Sequence, residues 1–404
     1  MASLKIAYYR LFQAVFNIGS RVLPWRRATV VTGADAIGKI PSLLLELGAK
    51  NPIVVTDPGL MAVGVAPKIL QLLDEHGVSY ALFSDVEPNP SVQTVEKIYS
   101  LYRENRCDGV IAIGGGSAMD AAKAAAARVV RPRKSTRQLG GLFRVLKKLP
   151  PFIAVPTTAG TGSETTVVAV ITDTEAHYKY AIMDLSLIPR YAVLDPELTI
   201  GLPAGITATT GMDALTHAVE AYLCWTYSTK ESLRFAEEAV EMIFQNLPKV
   251  YADGRDIEAR EQMLLASFKA GFAFTRSAVG NVHAIAHTLS ALYDTPHGLA
   301  NAVLLPIVLE DYGVKVYPKL AKLAAIAGVK TGEGETADAK AFIAAIRKLN
   351  ADMQIPEGFD FILGKDIPVM AKRAGKEANP LYPVPVVYDQ ARYTAVIQKA
   401  ILKG

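Results

Sequence analysis

Asp213, His217, His283, His287 and His297 carry the most legible chemistry in this chain. They form the pattern Asp213-x3-His217 followed by His283-x3-His287-x9-His297, which uses four of the six histidines. A carboxylate and several imidazoles gathered at one point suit a divalent transition metal. The segment GMDALTHAVEAYL (211–223) reads as a helix with apolar residues recurring at three and four, so Asp213 and His217 share one face. Ordinary core histidines are the bland alternative, but the carboxylate and the lack of a competing histidine cluster favour a metal. Spacing alone leaves open whether His287 or His297 joins His283 as a ligand.

A second chemistry lies upstream. After the apolar run VIAIG come Gly114, Gly115, Gly116 and Ser117, then the helical run AMDAAKAAAA. Consecutive glycines let backbone approach a phosphate closely, and the helix start that follows offers unpaired amides and a positive dipole end. Ser117 is the expected cap of that helix. The run is neither Gly-x-Gly-x-x-Gly nor a P-loop. A second polar loop, PTTAGTGSE (156–164), follows the apolar run FIAV, where open α/β sheets bind ligands. Asp57 ends the run PIVVT and could bond a ribose diol, a placement that favours NAD over NADP; an ordinary Asp-Pro turn is its alternative.

These loops need a sheet to position them. Residues 28–200 alternate short β-branched runs with helical patterns, as βαβ units do. Strands are expected at 52–56, 80–83, 109–113, 152–155 and 191–194. They show little polar alternation, as in a parallel sheet buried on both faces. From about residue 201, helical patterns follow one another at 205–223, 229–249, 255–274, 281–292, 315–327, 337–350 and 387–402. The expected architecture is therefore a Rossmann-like α/β nucleotide-binding domain over 31–200 and an all-helical metal-binding domain over 201–404. GLPAG (201–205) marks their boundary.

Residues 1–30 stand as a basic amphipathic extension, because the first 34 residues contain no acid. Such a start suits a transit peptide, weak association with a membrane surface, or a helix covering the rest of the protein. A cationic stretch, Arg128–Lys148, reads mainly as a solvated loop. The chain has 404 residues, half hydrophobic and a fifth charged, with net charge +4, so nucleic acid is not indicated. Cys107 and Cys224 match no metal or redox spacing, which suits a reducing compartment such as the cytoplasm, or the mitochondrial matrix in a eukaryote. No apolar run reaches the ~20 residues of a membrane-spanning helix.

GGGSAMDAAK (114–123), PTTAGTGSE (156–164), DPELT (195–199), GMDALTHAVEAY (211–222), HAIAH (283–287), PHGLANAVLLP (296–306) and NPLYPVPVV (379–387) agree in order and spacing with one family. Together they resemble the iron-containing (group III) alcohol dehydrogenases over nearly the whole chain beyond residue 30. The resemblance implies reversible hydride transfer between an alcohol and an aldehyde or ketone, with NAD as partner and a metal in a cleft between the domains. It implies that Asp213, His217, His283 and His297 hold the metal and that His287 lies beside the nicotinamide. It also implies nucleotide contacts from Asp57, Asn89, Gly115, Gly116, Ser117, Thr157, Thr158, Thr161 and Lys179, with Leu198–Leu202 lining the nicotinamide side. Three imidazoles and a carboxylate favour Fe(II), while zinc or another divalent ion also suits the donors. These proteins commonly form dimers or larger assemblies.

The sequence departs from the family pattern at Asn281, where an aromatic is frequent, and carries Arg276 one turn earlier. Both bear on the substrate pocket. Rival readings are a keto-acid (maleylacetate-type) reductase, a dehydroquinate-synthase-like lyase and a non-catalytic nucleotide-binding scaffold. The intact metal quartet and the scarcity of cations near it favour the alcohol dehydrogenase.

Overall fold

The computed structural model describes residues 2–175 and 178–402. The chain divides into two compact units, one of Pro24–Gly201 and one of Met1–Leu23 with Leu202–Gly404.

The first unit is built on β1 (Thr29–Thr32), β2 (Pro52–Val55), β3 (Ala81–Phe83), β4 (Gly109–Gly114), β5 (Gly141–Leu142), β6 (Phe152–Pro156), β7 (Val168–Asp173), β8 (Tyr178–Met183) and β9 (Tyr191–Leu194). Six of these form one parallel sheet in the order β1-β9-β6-β4-β2-β3. Its strands are buried on both faces. Ile53, Val55, Val110, Ala112, Phe152 and Ala154 enter one core, while Val54, Ile111, Ile113, Ile153 and Val155 enter the other. That is why the strand sequences read as unbroken apolar runs. After β3 the chain returns to the other side of β2, so strand order reverses between β2 and β4. Their carboxyl ends are the usual ligand position in such sheets.

All five expected strands are present. β1 was missed because its first two residues fall in the segment read as an N-terminal extension. Also missed was the antiparallel β7–β8 pair, flanked by β5. β7 alternates half-buried and buried residues, unlike the fully buried parallel strands whose unbroken apolar runs the sequence displays.

The second unit is helical, and the only β pairing among its described residues is an isolated bridge between Phe359 and Ile401. The seven expected helices are present, and the helix Ala2–Arg21 groups with them. Two helices were not anticipated, Ile367–Ala378 and His297–Tyr312. The latter contains Pro306 and is almost wholly buried, so it shows neither amphipathic periodicity nor an uninterrupted helical run. No helix among the described residues is long and apolar enough to cross a membrane.

Candidate metal and nucleotide sites

Three helices of the second unit converge. Ala204–Leu223 carries Asp213 and His217, Asn281–Tyr293 carries His283 and His287, and His297 opens His297–Tyr312. Donor atoms of Asp213, His217, His283 and His297 all lie within 4.8 Å of one another. Donors sharing one ion at ~2.1 Å can be no more than about 4.2 Å apart, so the site closes once the donors draw together by roughly half an ångström or more. His287 is not among these four. Its ring stacks on His297 with centroids 5.1 Å apart, and its Nδ1 lies 2.5 Å from Glu377 Oε1.

Glycines allow the convergence. A Cβ on Gly298 would meet the Thr209 carbonyl oxygen at 2.3 Å, so the helix starting at His297 crosses the Asp213 helix in backbone contact. A Cβ on Gly211 would lie 2.4 Å from Leu247, so the following helix also packs closely behind the ligands. Lys319 donates to the carbonyls of Tyr222 and Cys224, both at 2.8 Å, and caps the far end of the Asp213 helix.

Glu220, buried two turns after Asp213, orients His283. Its Oε2 lies 2.6 Å from His283 Nδ1 and accepts the Gly280 N–H at 2.8 Å, while Oε1 accepts the Val282 N–H at 2.8 Å. A carboxylate accepting at Nδ1 fixes the tautomer whose Nε2 is the bare donor a metal requires. Burial pushes the Glu220 carboxyl up to about 7 in the metal-free chain. Burial and three neighbouring imidazoles hold His283 well below its usual range, in its neutral form.

Asn301 supplies the test of fit. Its Nδ2 sits 2.6 Å from Asp213 Oδ1 and 3.1 Å from both His283 Nε2 and His297 Nε2. A carboxylate oxygen and two ring nitrogens thus converge on one amide group, the arrangement a cation would take over if the amide withdrew. The donor set fits a divalent transition metal.

Around the quartet, Phe274 stacks on His217 with centroids 4.3 Å apart. Glu377 Oε1 also accepts the Tyr382 hydroxyl at 2.9 Å, so His287 belongs to a half-buried chain of three polar side chains. Arg276 lies in the field of Glu231, and burial lowers its pKa. Asn281 corrects an expectation: it is fully buried, donates to the Val386 carbonyl at 3.1 Å and accepts the Tyr393 hydroxyl at 2.6 Å. It ties helices together and leaves no surface for a substrate.

In the first unit Asp57, Gly115, Gly116, Ser117, Thr157, Thr158 and Thr161 gather at the carboxyl ends of β2, β4 and β6. Asp57 caps a short helix through the Leu60 N–H at 3.0 Å. Gly114 has φ +148, and a Cβ there would sit 2.7 Å from Ala118 and 3.5 Å from Asp57 Oδ2. Cβ atoms on Gly115 and Gly116 would reach Thr158 at 3.3 Å and Thr161 at 3.0 Å, so the glycine run and the 156–164 loop lie against each other. Thr157 donates its N–H to the Gly114 carbonyl at 3.1 Å. Gly115, not Ser117, occupies the N-cap of Gly116–Val130. Ser117 falls in the first turn, and its Oγ accepts the N–H of Asn89, a left-handed residue at φ 57. Lys179 lies on β8 opposite Thr172, which bridges to Ser91 just after Asn89. Leu198 is packed in the core and Leu202 is half-buried.

Lys123 joins the two loops. Fully buried, it donates to Ser163 Oγ (3.0 Å), Thr166 Oγ1 (2.9 Å) and the carbonyls of Thr166 and Val168 (3.1 and 3.0 Å). Asp120, one turn earlier, accepts from Ser163 Oγ at 2.8 Å and the Val170 N–H at 2.9 Å. Burial lowers Lys123 to about 8.

Residues 28–196 match the family model described as iron-containing alcohol dehydrogenase, and residues 207–401 match the C-terminal model of the same family. The chain belongs to the iron-containing alcohol dehydrogenase family. It is 40% identical over 352 residues to a 1,3-propanediol dehydrogenase of Klebsiella pneumoniae, covering 86% of this chain and 90% of that one. It is 36% identical over 347 residues to an NAD-dependent methanol dehydrogenase of Bacillus methanolicus, covering 85% and 91%. A crystal structure of a 1,3-propanediol oxidoreductase superposes with a TM-score of 0.90 at 36% identity, covering 94% of this chain and all of that one.

Within this family member, sequence reasoning assigned no role to Glu220, Glu377, Asn301 or Lys123. Two left a signal. Glu220 lies seven residues after Asp213, on the same helix face, and Lys123 is, with Asp120, one of two charges in an alanine-rich run that must be buried against a sheet. Glu377 left none, because its partner is remote in sequence, and Asn301 left none, because the helix that places it one turn after His297 was itself not anticipated.

Proposed function

We propose that this chain is an NAD-linked, Fe(II)-dependent dehydrogenase that interconverts a small neutral alcohol and its aldehyde or ketone. The observation that carries the reading is the cluster of one carboxylate and three imidazoles within 4.8 Å. Asp213, His217, His283 and His297 are the residues that would hold the ion, and Glu220 would keep His283 in its ligating tautomer. An ion there supplies Lewis acidity that favours loss of the alcohol proton. A bound NAD would supply the hydride acceptor, chemistry that belongs to the cofactor.

The chain's own part is binding and proton handling. The amides opening Gly116–Val130 suit a pyrophosphate, with Ser117, Thr158 and Thr161 beside them. Asp57 adds a negative charge at the end of β2, which disfavours the 2′-phosphate of NADP. Lys179, Asn89 and Thr157 complete the nucleotide loops, with Leu198 and Leu202 on the nicotinamide side. His287 directs Nδ1 at Glu377, so Nε2 is the nitrogen that would take the alcohol proton and pass it outward. Arg276, the cation a carboxylated substrate would require, already lies in the field of Glu231, which supports a neutral substrate. The same reading makes the protein a cytoplasmic homo-oligomer.

A panel of short, long-chain, diol and hydroxyacid alcohols with NAD and NADP tests the reaction. Metal analysis of protein purified without added metal, with chelation and single-metal restoration, tests the ion. Turnover that is indifferent to chelation and undiminished in D213A would sink the proposal. H287A should lose about 10²–10⁴-fold in kcat while keeping its metal; loss of metal in that variant would make His287 a ligand.

A further inference from the structure

The helix Ala2–Arg21 turns a long apolar seam away from its own unit. Toward the protein it presents Phe16, packed on Tyr227, and the polar residues Arg10, Gln13 and Asn17. Gln13, fully buried, donates to the carbonyls of Pro380 and Tyr382 and accepts from Trp225 Nε1. Arg10 donates to the carbonyls of Val384 and Pro385, and Asn17 to Thr226 Oγ1. The side turned to solvent carries Leu4, Tyr8, Leu11, Val15, Ile18 and Val22, which are 77, 58, 65, 61, 69 and 84% exposed. Val22 continues the last turn through its N–H to the Gly19 carbonyl. A helix that only covered its own domain would show the opposite polarity. Contiguous exposed apolar surface of this kind marks an interaction site.

The spacing identifies the occupant. The six residues follow one another by steps of 4, 3, 4, 3 and 4, the 3.5-residue repeat of a helix that packs along another helix. At 3.6 residues per turn they lie within about 40° either side of one line, a narrow coiled-coil seam rather than the broad face of a helix lying in a bilayer surface. The seam also matches itself when reversed. In an antiparallel pair related by a two-fold axis, Leu4 meets the partner subunit's Val22, Tyr8 meets the partner subunit's Ile18, and Leu11 meets the partner subunit's Val15. Each layer then joins a larger residue to a β-branched one, as an isologous contact requires. The exposed cations beside the seam are Lys5 and Arg21, and in this register they flank the partner subunit's Gly19 and Ala7, so like charges do not face each other.

We propose that this helix is a homodimerisation element in which two copies of the chain pair their first helices antiparallel through the Leu4–Val22 seam. Twelve largely exposed apolar side chains, at roughly 60–120 Å² each when fully covered, approach the ~1,000 Å² of a specific but modest interface. The family models begin only at residue 28, so the element lies outside the part of the chain that they match.

The test is sedimentation velocity or light scattering of the full-length protein over a wide concentration range, beside the double variant L11E/V15E. Assembly size should rise with concentration in the wild type, and the variant should halve it with alcohol turnover per subunit unchanged. Disulfide trapping checks the direction. An oxidised mixture of L4C and V22C should crosslink in high yield, while L4C alone should not; crosslinking of L4C alone would replace the antiparallel pairing with a parallel one and overturn the proposal as stated. An assembly unaffected by L11E/V15E overturns it. So does a wild type that stays monomeric and instead sediments with phosphatidylglycerol vesicles, which would assign the seam to a membrane surface.

Discussion

Replacing Glu220 by glutamine should weaken metal binding without touching a ligand. Three donors converge on the carboxylate, namely the Gly280 and Val282 amides and His283 Nδ1. Glutamine offers one oxygen, so its NH₂ must face at least one of those donors. Where it faces Nδ1, it favours the tautomer that directs Nε2–H into the quartet, and that imidazole cannot bind an ion. Loss of such a partner typically costs 10–100-fold in metal affinity, or about 1.4–2.7 kcal/mol. The assay is competition between metal-free protein and a chromophoric chelator at fixed pH, with circular dichroism to verify folding. G280A supplies an independent check, because its Cβ would lie 2.6 Å from Glu220 Oε1 and must displace the carboxylate. Both variants should shift affinity in the same direction. Folded E220Q with an affinity within about twofold of wild type would refute the argument, since the expected minimum is tenfold.

The remaining predictions concern other contacts of the two sites. G298A should force apart the helices carrying Asp213 and His297, costing about 1–3 kcal/mol of stability and most of the metal content measured after dialysis. E377Q should lower kcat by roughly 10–100-fold with metal content unchanged, because it removes the carboxylate that orients His287. K123M should destabilise the α/β unit by about 3–5 kcal/mol, since it leaves Asp120 and Glu164 buried without their cation. Calorimetry should then show its transition lowered by roughly 6–20 °C. The pH dependence of the metal-free protein follows from Glu220, whose carboxyl rises from 4.5 when unfolded to about 7 when folded. A raised folded value means the stabilisation is complete below pH 4.5 and is lost as pH climbs through about 7, a change on the order of 3 kcal/mol. Urea titrations between pH 5 and 8 should show that decline, and E220Q should flatten it.

The parallel sheet was legible because burial on both faces leaves unbroken β-branched runs bounded by polar loops, and such runs need no knowledge of their neighbours. Most helices were legible for the corresponding reason, their apolar periodicity. The exceptions share a cause. His297–Tyr312 is buried all round and interrupted by Pro306, so no stripe distinguishes it, and β7 owes its partner to a register that spacing does not encode.

Chemistry divides in the same way. Residue types and local spacing alone determined that a carboxylate and imidazoles were available and that glycine and hydroxyl loops ended the strands, because one helix turn or one strand end places those groups together. Which histidine stands apart from the quartet was decided only in three dimensions. Gly298 lets one backbone cross another at contact distance and brings His297 to Asp213, while Glu377, ninety residues from His287, draws that ring aside. Helix crossings and remote hydrogen bonds depend on close packing between distant segments, and a linear sequence does not state which segments meet.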